Sequence, residues 1–245
     1  MSQTSPTSLD RRQFVEVAGL GGIVAMSAAA LSANSAAAAT PAPDAPVPAA
    51  TIYEVKPLPF DVNAVSGISA KLLTSHYDNN YTGAVKRLNA IGTQLAALDW
   101  ATAPGFLING LKREELIAHN SMILHEHYFG ALGGNGGDPK GALAKAIARD
   151  FGSLARWRAE FTAMGKAEGG GSGWVMLSYS PRDKRLVNTW AADHTMTLAG
   201  GHPILVLDMY EHAYQMDFGA KAAAYVDAFM QGIRWDEPSR IFEKL

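Results

Sequence analysis

The chain has 245 residues, 21 Lys+Arg against 23 Asp+Glu, and no cysteine. Without a thiol there is no disulfide framework, thiolate metal site, iron–sulfur cluster, cysteine nucleophile or lipidated lipoprotein. A formal charge of −2, with 48% hydrophobic residues, fits a globular core. It argues against nucleic-acid binding, which needs a basic face, but leaves room for a small anion drawn by local charge.

Residues 1–39 read as an address. Ser8-Leu9-Asp10-Arg11-Arg12-Gln13-Phe14 is followed by an apolar Gly/Ala-rich stretch from Val15 to about Leu31, then by Ala36-Ala37-Ala38-Ala39. Paired arginines, a short apolar region and small residues at the end, in that order, look like a twin-arginine export signal. The apolar stretch is short for a membrane span. A disordered tail with a chance arginine pair and an uncleaved anchor are the alternatives. The expectation is a periplasmic or secreted protein, exported already folded, that meets the membrane only transiently. Residues 40–56 are rich in Pro and Ala and read as an extended linker.

Along the rest of the chain, few breakers interrupt Ile68 to Asn89, which predicts a long helix loosened by Gly83. A second helix is expected over 89–98 and a third over 112–132, ending at the Gly-rich loop 133–137. Asp138-Pro139 predicts a capped helix over 139–150, and Ser153 caps another over 153–167. The period then changes. Residues 173–179 and 185–190 predict a hairpin turning at Ser180-Pro181-Arg182-Asp183, and Ile204 to Leu207 a short buried strand. Helices are expected again over 211–216, 219–234 and 237–244. A helical part, 57–133, therefore precedes a mixed part, 138–245, in an α+β chain.

Of the seven histidines, His125 and His127 form an H-x-H pair within a predicted helix, where residues two apart do not share a face. The helical neighbours of His125 include Ile117, Ala118, Met122, Phe129 and Leu132, so His125 points at the core. A buried histidine needs a hydrogen bond or a metal as partner, and taken alone His125 reads as hydrogen-bonded. Asp208 closes the apolar run Pro203-Ile204-Leu205-Val206-Leu207, with His212 four residues on, a spacing that sets oxygen and nitrogen ligands side by side. An N-cap role would explain Asp208 alone. His76, in the polar run 75–81, is ambiguous by spacing. Imidazole and carboxylate without thiolate suit iron, manganese or zinc.

These segments resemble the iron/manganese superoxide dismutases. Asp208-Met209-Tyr210-Glu211-His212-Ala213-Tyr214 is similar to the family's D-x-[WY]-E-H-A-[FY] signature. Gly171-Ser172-Gly173-Trp174, His125-Glu126-His127-Tyr128-Phe129 and Pro57-Leu58-Pro59-Phe60 match further segments. The resemblance implies a helical hairpin domain followed by an α/β domain with a three-stranded antiparallel sheet. It implies one iron or manganese ion per subunit on His76, His125, Asp208 and His212. Here His76 stands thirteen residues before Asn89, as the family's first ligand precedes its asparagine. It also implies dismutation of superoxide, with Trp174 and Tyr128 walling the pocket and His194 either tuning the metal's potential or standing as a plain loop histidine after the second strand. Glu211 would bridge subunits of a homodimer. Two family positions differ: the gateway tyrosine falls on Ala84, and its partner histidine on Asn80. Gln215 stands where a cross-dimer tyrosine is common. Tyr81 is the expected replacement for the lost phenol. Lys86, Arg87 and Lys221 read as solvated or as steering charges. The competing expectation is a non-enzymatic metal-binding descendant of the same fold, with a zinc hydrolase more remote.

Overall fold

The structure is a computed structural model that describes residues 49–168 and 171–245; the export-signal expectation lies outside the described residues. Ser69 opens the first helical stretch, its hydroxyl accepting the Leu72 N–H at 3.1 Å. The stretch runs through α1 (Ala70–Ser75), a π-helical turn (His76–Tyr81) and α2 (Thr82–Ala96). In the π turn the Thr82 N–H bonds the Tyr77 carbonyl, five residues back. Such widened turns in helices gather at functional sites. Gly83 does not interrupt the helix, and the second helix expected over 89–98 is its continuation. Asn89 instead pins the chain before it, accepting the Tyr53 N–H at 2.8 Å and donating to the Tyr53 carbonyl at 2.9 Å.

Antiparallel to this stretch lies α3 (Gly105–Gly130). It begins seven residues earlier than expected, straight after Pro104, whose carbonyl takes the Leu107 and Ile108 amides. Gly105 and Gly110 lower helix propensity, but packing of α2 against α3 overrides that cost. Then follow α4 (Gly141–Phe151) and α5 (Leu154–Glu168). The Ser153 hydroxyl caps α5 by accepting the Arg156 N–H at 3.1 Å. Asp138 does not cap α4, which starts after Lys140; it meets Arg158 at 3.2 Å instead.

The sheet has three antiparallel strands in the order β2-β1-β3: β1 (Trp174–Ser180), β2 (Arg185–Ala191) and β3 (His202–Asp208). β3 is longer than the apolar run 204–207. Pro203 enters it where the β1–β3 register shifts, opposite Ser178. An edge strand tolerates a residue that lacks an N–H. The central strand is buried on both faces. Val175 and Leu177 join the main core, while Trp174 and Met176 pack with Leu124, Ala191 and Val206. Beyond β3 come a 3₁₀ turn (Glu211–Ala213), α6 (Gln215–Phe218), α7 (Ala222–Gln231) and α8 (Asp236–Phe242). The expected helix at 211–216 is thus a 3₁₀ turn and a separate short helix. One continuous core joins the helical and mixed parts, running from Leu72 and Leu88 to Leu143, Leu207 and Phe229. Among the described residues no helix is long and apolar enough to cross a membrane.

The Gly-rich loop 133–137 docks backbone to backbone. The Gly134 N–H donates to the Gly232 carbonyl at 2.9 Å and the Gly136 N–H to the Ile233 carbonyl at 3.1 Å. A Cβ on Gly134 would fall 2.6 Å from the Arg234 Cα and closer still to the Ile233 carbonyl oxygen. Gly134→Ala is therefore expected to cost about 1–3 kcal/mol by overpacking, read as a lowered midpoint in urea unfolding. Gly83→Ala, with open space at the same position, leaves the midpoint unchanged or raised.

Candidate metal centre

Four side chains from four separate elements meet between the helical part and the sheet. His76 opens the π turn, His125 sits in the last third of α3, Asp208 ends β3, and His212 lies in the 3₁₀ turn. Each offers one ligand atom, and these atoms all lie within 4.8 Å of one another. The Nε2 atoms of His76, His212 and His125 stand 3.1, 3.2 and 3.5 Å from the same oxygen, Asp208 Oδ2. Two ligands each about 2.1 Å from one ion make spacings of this size. His76, His125 and Asp208 are buried, whereas 25% of the His212 side chain is exposed.

Local contacts aim each group. The second carboxylate oxygen, Oδ1, accepts the Tyr210 N–H at 2.8 Å, so Asp208 serves the turn with one oxygen and faces the rings with the other. Its backbone carbonyl accepts the Tyr225 hydroxyl at 2.8 Å. Antiparallel pairing sets Asp208 opposite Trp174. The Nδ1 of His125 lies 2.6 Å from the Ser121 carbonyl, one helical turn earlier. A carbonyl only accepts, so Nδ1 carries the proton and Nε2 presents its lone pair to the cluster. The rings of Tyr128 and Phe129 stand 5.1 and 5.0 Å from His76, and neither His76 nitrogen has a hydrogen-bond partner.

The electrostatics follow from burial. Burial pushes His125 down to about 3, with the neighbouring His76 adding to the fall. Burial also lowers His76, against the pull of Asp208. For Asp208 burial alone would raise the carboxyl, but the His212 and His76 rings beside it outweigh that and hold it below the ordinary range. The centre is thus an ionised carboxylate beside two buried imidazoles, His76 and His125, that burial disposes against protonation, with the His125 lone pair turned inward and the His212 Nε2 within hydrogen-bond distance of the same oxygen. A cation among the four groups would satisfy the buried nitrogens, His76 Nε2 and His125 Nε2, that have no hydrogen-bond partner. Three imidazoles and one carboxylate fit iron or manganese.

A cleft of about 270 Å³ reaches the cluster, lined by Asn80, Ala84, Arg87, His125, His194 and His212 among others. His194 is therefore at the centre and not in a remote loop. Its Nδ1 accepts the Trp174 indole N–H at 3.0 Å, which leaves the proton on Nε2. Asn120 holds its backbone carbonyl at 2.6 Å, and Tyr210 stacks on its ring at 4.8 Å. Trp174 also meets His125 edge-on at 5.2 Å, so its ring walls the pocket while its N–H orients His194. Tyr128 is fully buried and lies 3.2 Å from the Tyr225 hydroxyl. Glu211 is exposed beside His212.

The expectation for Tyr81 is corrected. Asn80 and Ala84, four and eight residues after His76, face the cleft, whereas Tyr81 is turned off that face. Its ring lies behind Phe129, at 6.2 Å. Its hydroxyl accepts the Lys56 N–H at 2.9 Å and donates to Glu126 at 3.2 Å. That contact belongs to a separate groove of about 410 Å³, which His127 also lines. Sequence reasoning missed Ser121, Tyr210, Tyr225 and Asn120. Ser121 alone had a readable signal, its i−4 spacing from His125; the others arrive through strand pairing and loop packing.

A family model describing the C-terminal domain of iron/manganese superoxide dismutases matches residues 139–240. An iron superoxide dismutase of Cupriavidus metallidurans is 68% identical over 191 residues, which are 78% of this chain and 96% of that protein. A manganese superoxide dismutase of Halobacterium salinarum is 39% identical over 78% of this chain and 96% of its own length. An iron superoxide dismutase of Aquifex pyrophilus is 36% identical over 74% of this chain and 86% of its own.

Tyr81→Phe is expected to leave metal content and turnover within twofold of the parent chain, about the scatter of such assays. It should lower stability by about 1 kcal/mol through the lost hydrogen bonds. Metal analysis and thermal unfolding on the same preparation check both, and a large fall in turnover at full metal content would contradict the placement.

Proposed function

This chain belongs to the iron/manganese superoxide dismutase family, and from that premise we propose that it acts as an exported homodimer whose ion is held by His76, His125, Asp208 and His212. It is an oxidoreductase that converts superoxide to dioxygen and hydrogen peroxide, with one iron or manganese ion per subunit. The observation that carries the ligand assignment is the convergence of three Nε2 atoms on one oxygen of Asp208.

The bound ion supplies one-electron chemistry, alternating between +2 and +3, as 2 O₂⁻ + 2 H⁺ become O₂ + H₂O₂; zinc has no such redox cycle. The protein does the rest. The cleft admits a small anion and opens onto the ligands. Arg87 stands on its wall, paired across α2 and α3 with Glu114, so part of the charge that would draw an anion is already matched. His194 holds a proton at Nε2 within the same cleft, and the Trp174 indole fixes that tautomer. Tyr128 and Phe129 keep water from the inner side of His76. No phenol stands on the cleft side of the π turn, so delivery of protons relies on His194 and on solvent entering past Asn80 and Ala84.

A second copy would cover the open side of the centre. His212 is the one ligand with an exposed edge, and Glu211, Gln215 and Met216, close to it along the chain, are exposed too. A carboxylate from a partner reaching a ligand histidine would orient that ring. The twin-arginine segment, Arg11-Arg12 with Phe14, supports export. Alignment with the Cupriavidus relative leaves about a fifth of this chain unmatched, room for such a segment. Export of folded protein suits a site whose ligands come from four elements and bind their ion only once the chain has folded.

Metal-loaded protein is expected to consume superoxide in stopped flow. Asp208→Asn should lose metal and turnover by more than the roughly 10–100-fold that loss of an outer partner costs; retention of both would refute the ligand assignment. In sedimentation the parent chain should run as a dimer and Glu211→Ala should shift toward monomer. Replacing Arg11 and Arg12 by lysine should leave the protein, still active, in the cytoplasmic fraction.

A further inference from the structure

One buried carboxylate near the centre has no role in the site described so far. Glu168 is the last residue of α5. Both its carboxylate oxygens are sealed from solvent, and no side chain bonds them. Among the described residues, no lysine, arginine or histidine comes within ion-pair distance of it. The carboxylate occupies the space that a side chain at position 173 would fill: a Cβ on Gly173 would lie 2.8 Å from the Glu168 Cδ. Gly173 is thus the residue that lets an acid in.

That position is close to the ligands through the sheet. The Gly173 carbonyl accepts the N–H of Met209, the residue after Asp208, at 2.9 Å. The next residue, Trp174, is paired with Asp208 itself. The charge of Glu168 is felt at Tyr210, whose ring stacks on both His194 and His212. Burial pushes the Glu168 carboxyl up to about 7, against the pull of the Trp174 N–H, and Asp208 adds to the rise. An unpaired buried carboxylate costs stability, and its proximity to a centre that takes a cation gives that cost a use.

We propose that the Glu168 carboxylate acts through space on the metal centre, favouring the more highly charged state of the ion and so lowering its midpoint potential. Glu168 is in this sense a positioning residue: it touches neither substrate nor ion and works by its charge. The inference rests on the ligand assignment above. At an effective dielectric near 20, a unit charge acting across roughly 10 Å on an ion that changes by one unit shifts the oxidised-to-reduced ratio by about tenfold or more.

The test is a redox titration of metal-loaded holoenzyme, followed by the ion's optical absorption at about pH 8.5, where a carboxyl of ordinary or moderately raised pKa is ionised. Glu168→Gln keeps the shape and removes the charge. At a potential where the parent chain is half oxidised, this variant should be about tenfold more reduced, a shift of about 59 mV for one electron. Glu168→Asp, which keeps the charge, should titrate near the parent, and Glu168→Asn should follow the glutamine variant. Equal midpoints for the parent and Glu168→Gln at equal metal content overturn the inference alone. If Glu168→Gln fails to load metal, the aspartate and asparagine pair decides, and equal midpoints in that pair overturn it. A parent chain that binds no redox-active ion overturns the ligand assignment and this inference with it.

Discussion

Three imidazole nitrogens crowd one buried carboxylate oxygen, Asp208 Oδ2, and a cation among them would satisfy the two, His76 Nε2 and His125 Nε2, that have no hydrogen-bond partner. His125 has spent its proton on the Ser121 carbonyl, so its Nε2 has nothing but electron density to offer Asp208. His76 has no hydrogen-bond partner at either nitrogen. Burial disfavours protonation of His76 and His125, so a proton does not take the place of the ion between them and Asp208. Because the four groups come from a π turn, a long helix, a strand end and a 3₁₀ turn, the site exists only when those elements have docked. Ion binding and folding therefore stabilise each other.

The scaffold brings the four together through a few backbone devices. Pairing of β1 with β3 places Asp208 opposite Trp174 and thereby ties the ligand to the indole that orients His194. Tyr225, reaching from α7, holds the Asp208 carbonyl from behind. The close approach of the Gly134 loop to residues 232–234 seats the end of α3 against the start of α8, and α3 carries His125. Glycine is needed at 134 for lack of space, not for an unusual dihedral. At 173 the same lack of a side chain makes room for a carboxylate.

Charge around the centre is arranged unevenly. On the cleft side Arg87 and Glu114 nearly cancel, and His194 is held neutral chiefly by burial. Beside Gly173, Glu168 has no counter-charge among the described residues. A redox ion responds to the sum of these fields, so residues that never touch it set its potential together with the groups that do. The ligand set common to iron and manganese leaves that outer field as the place where two such proteins differ.

Much of this was legible along the chain. The i, i+4 spacing of Asp208 and His212 after an apolar run, and the apolar face chosen for His125 over His127, both predict residues that the fold places in the cluster. The hairpin and its turn were readable from alternation and from Ser180-Pro181. Other features were not. The length of β3 was hidden by Pro203, which only an edge position excuses. The start of α3 was masked by two glycines whose cost helix packing overrides. Tyr81 shares a polar segment with His76 but is held on the other side by Lys56 and Glu126, partners 25 and 45 residues away.

The order of residues thus determined which groups have the chemistry to hold a redox ion and on which local faces they lie, because helical and strand periodicity are short-range properties. Whether those faces meet, which way His194 is turned, and that an acid without a counter-charge sits beside Gly173 were decided by packing between elements far apart in the chain, which no local spacing encodes.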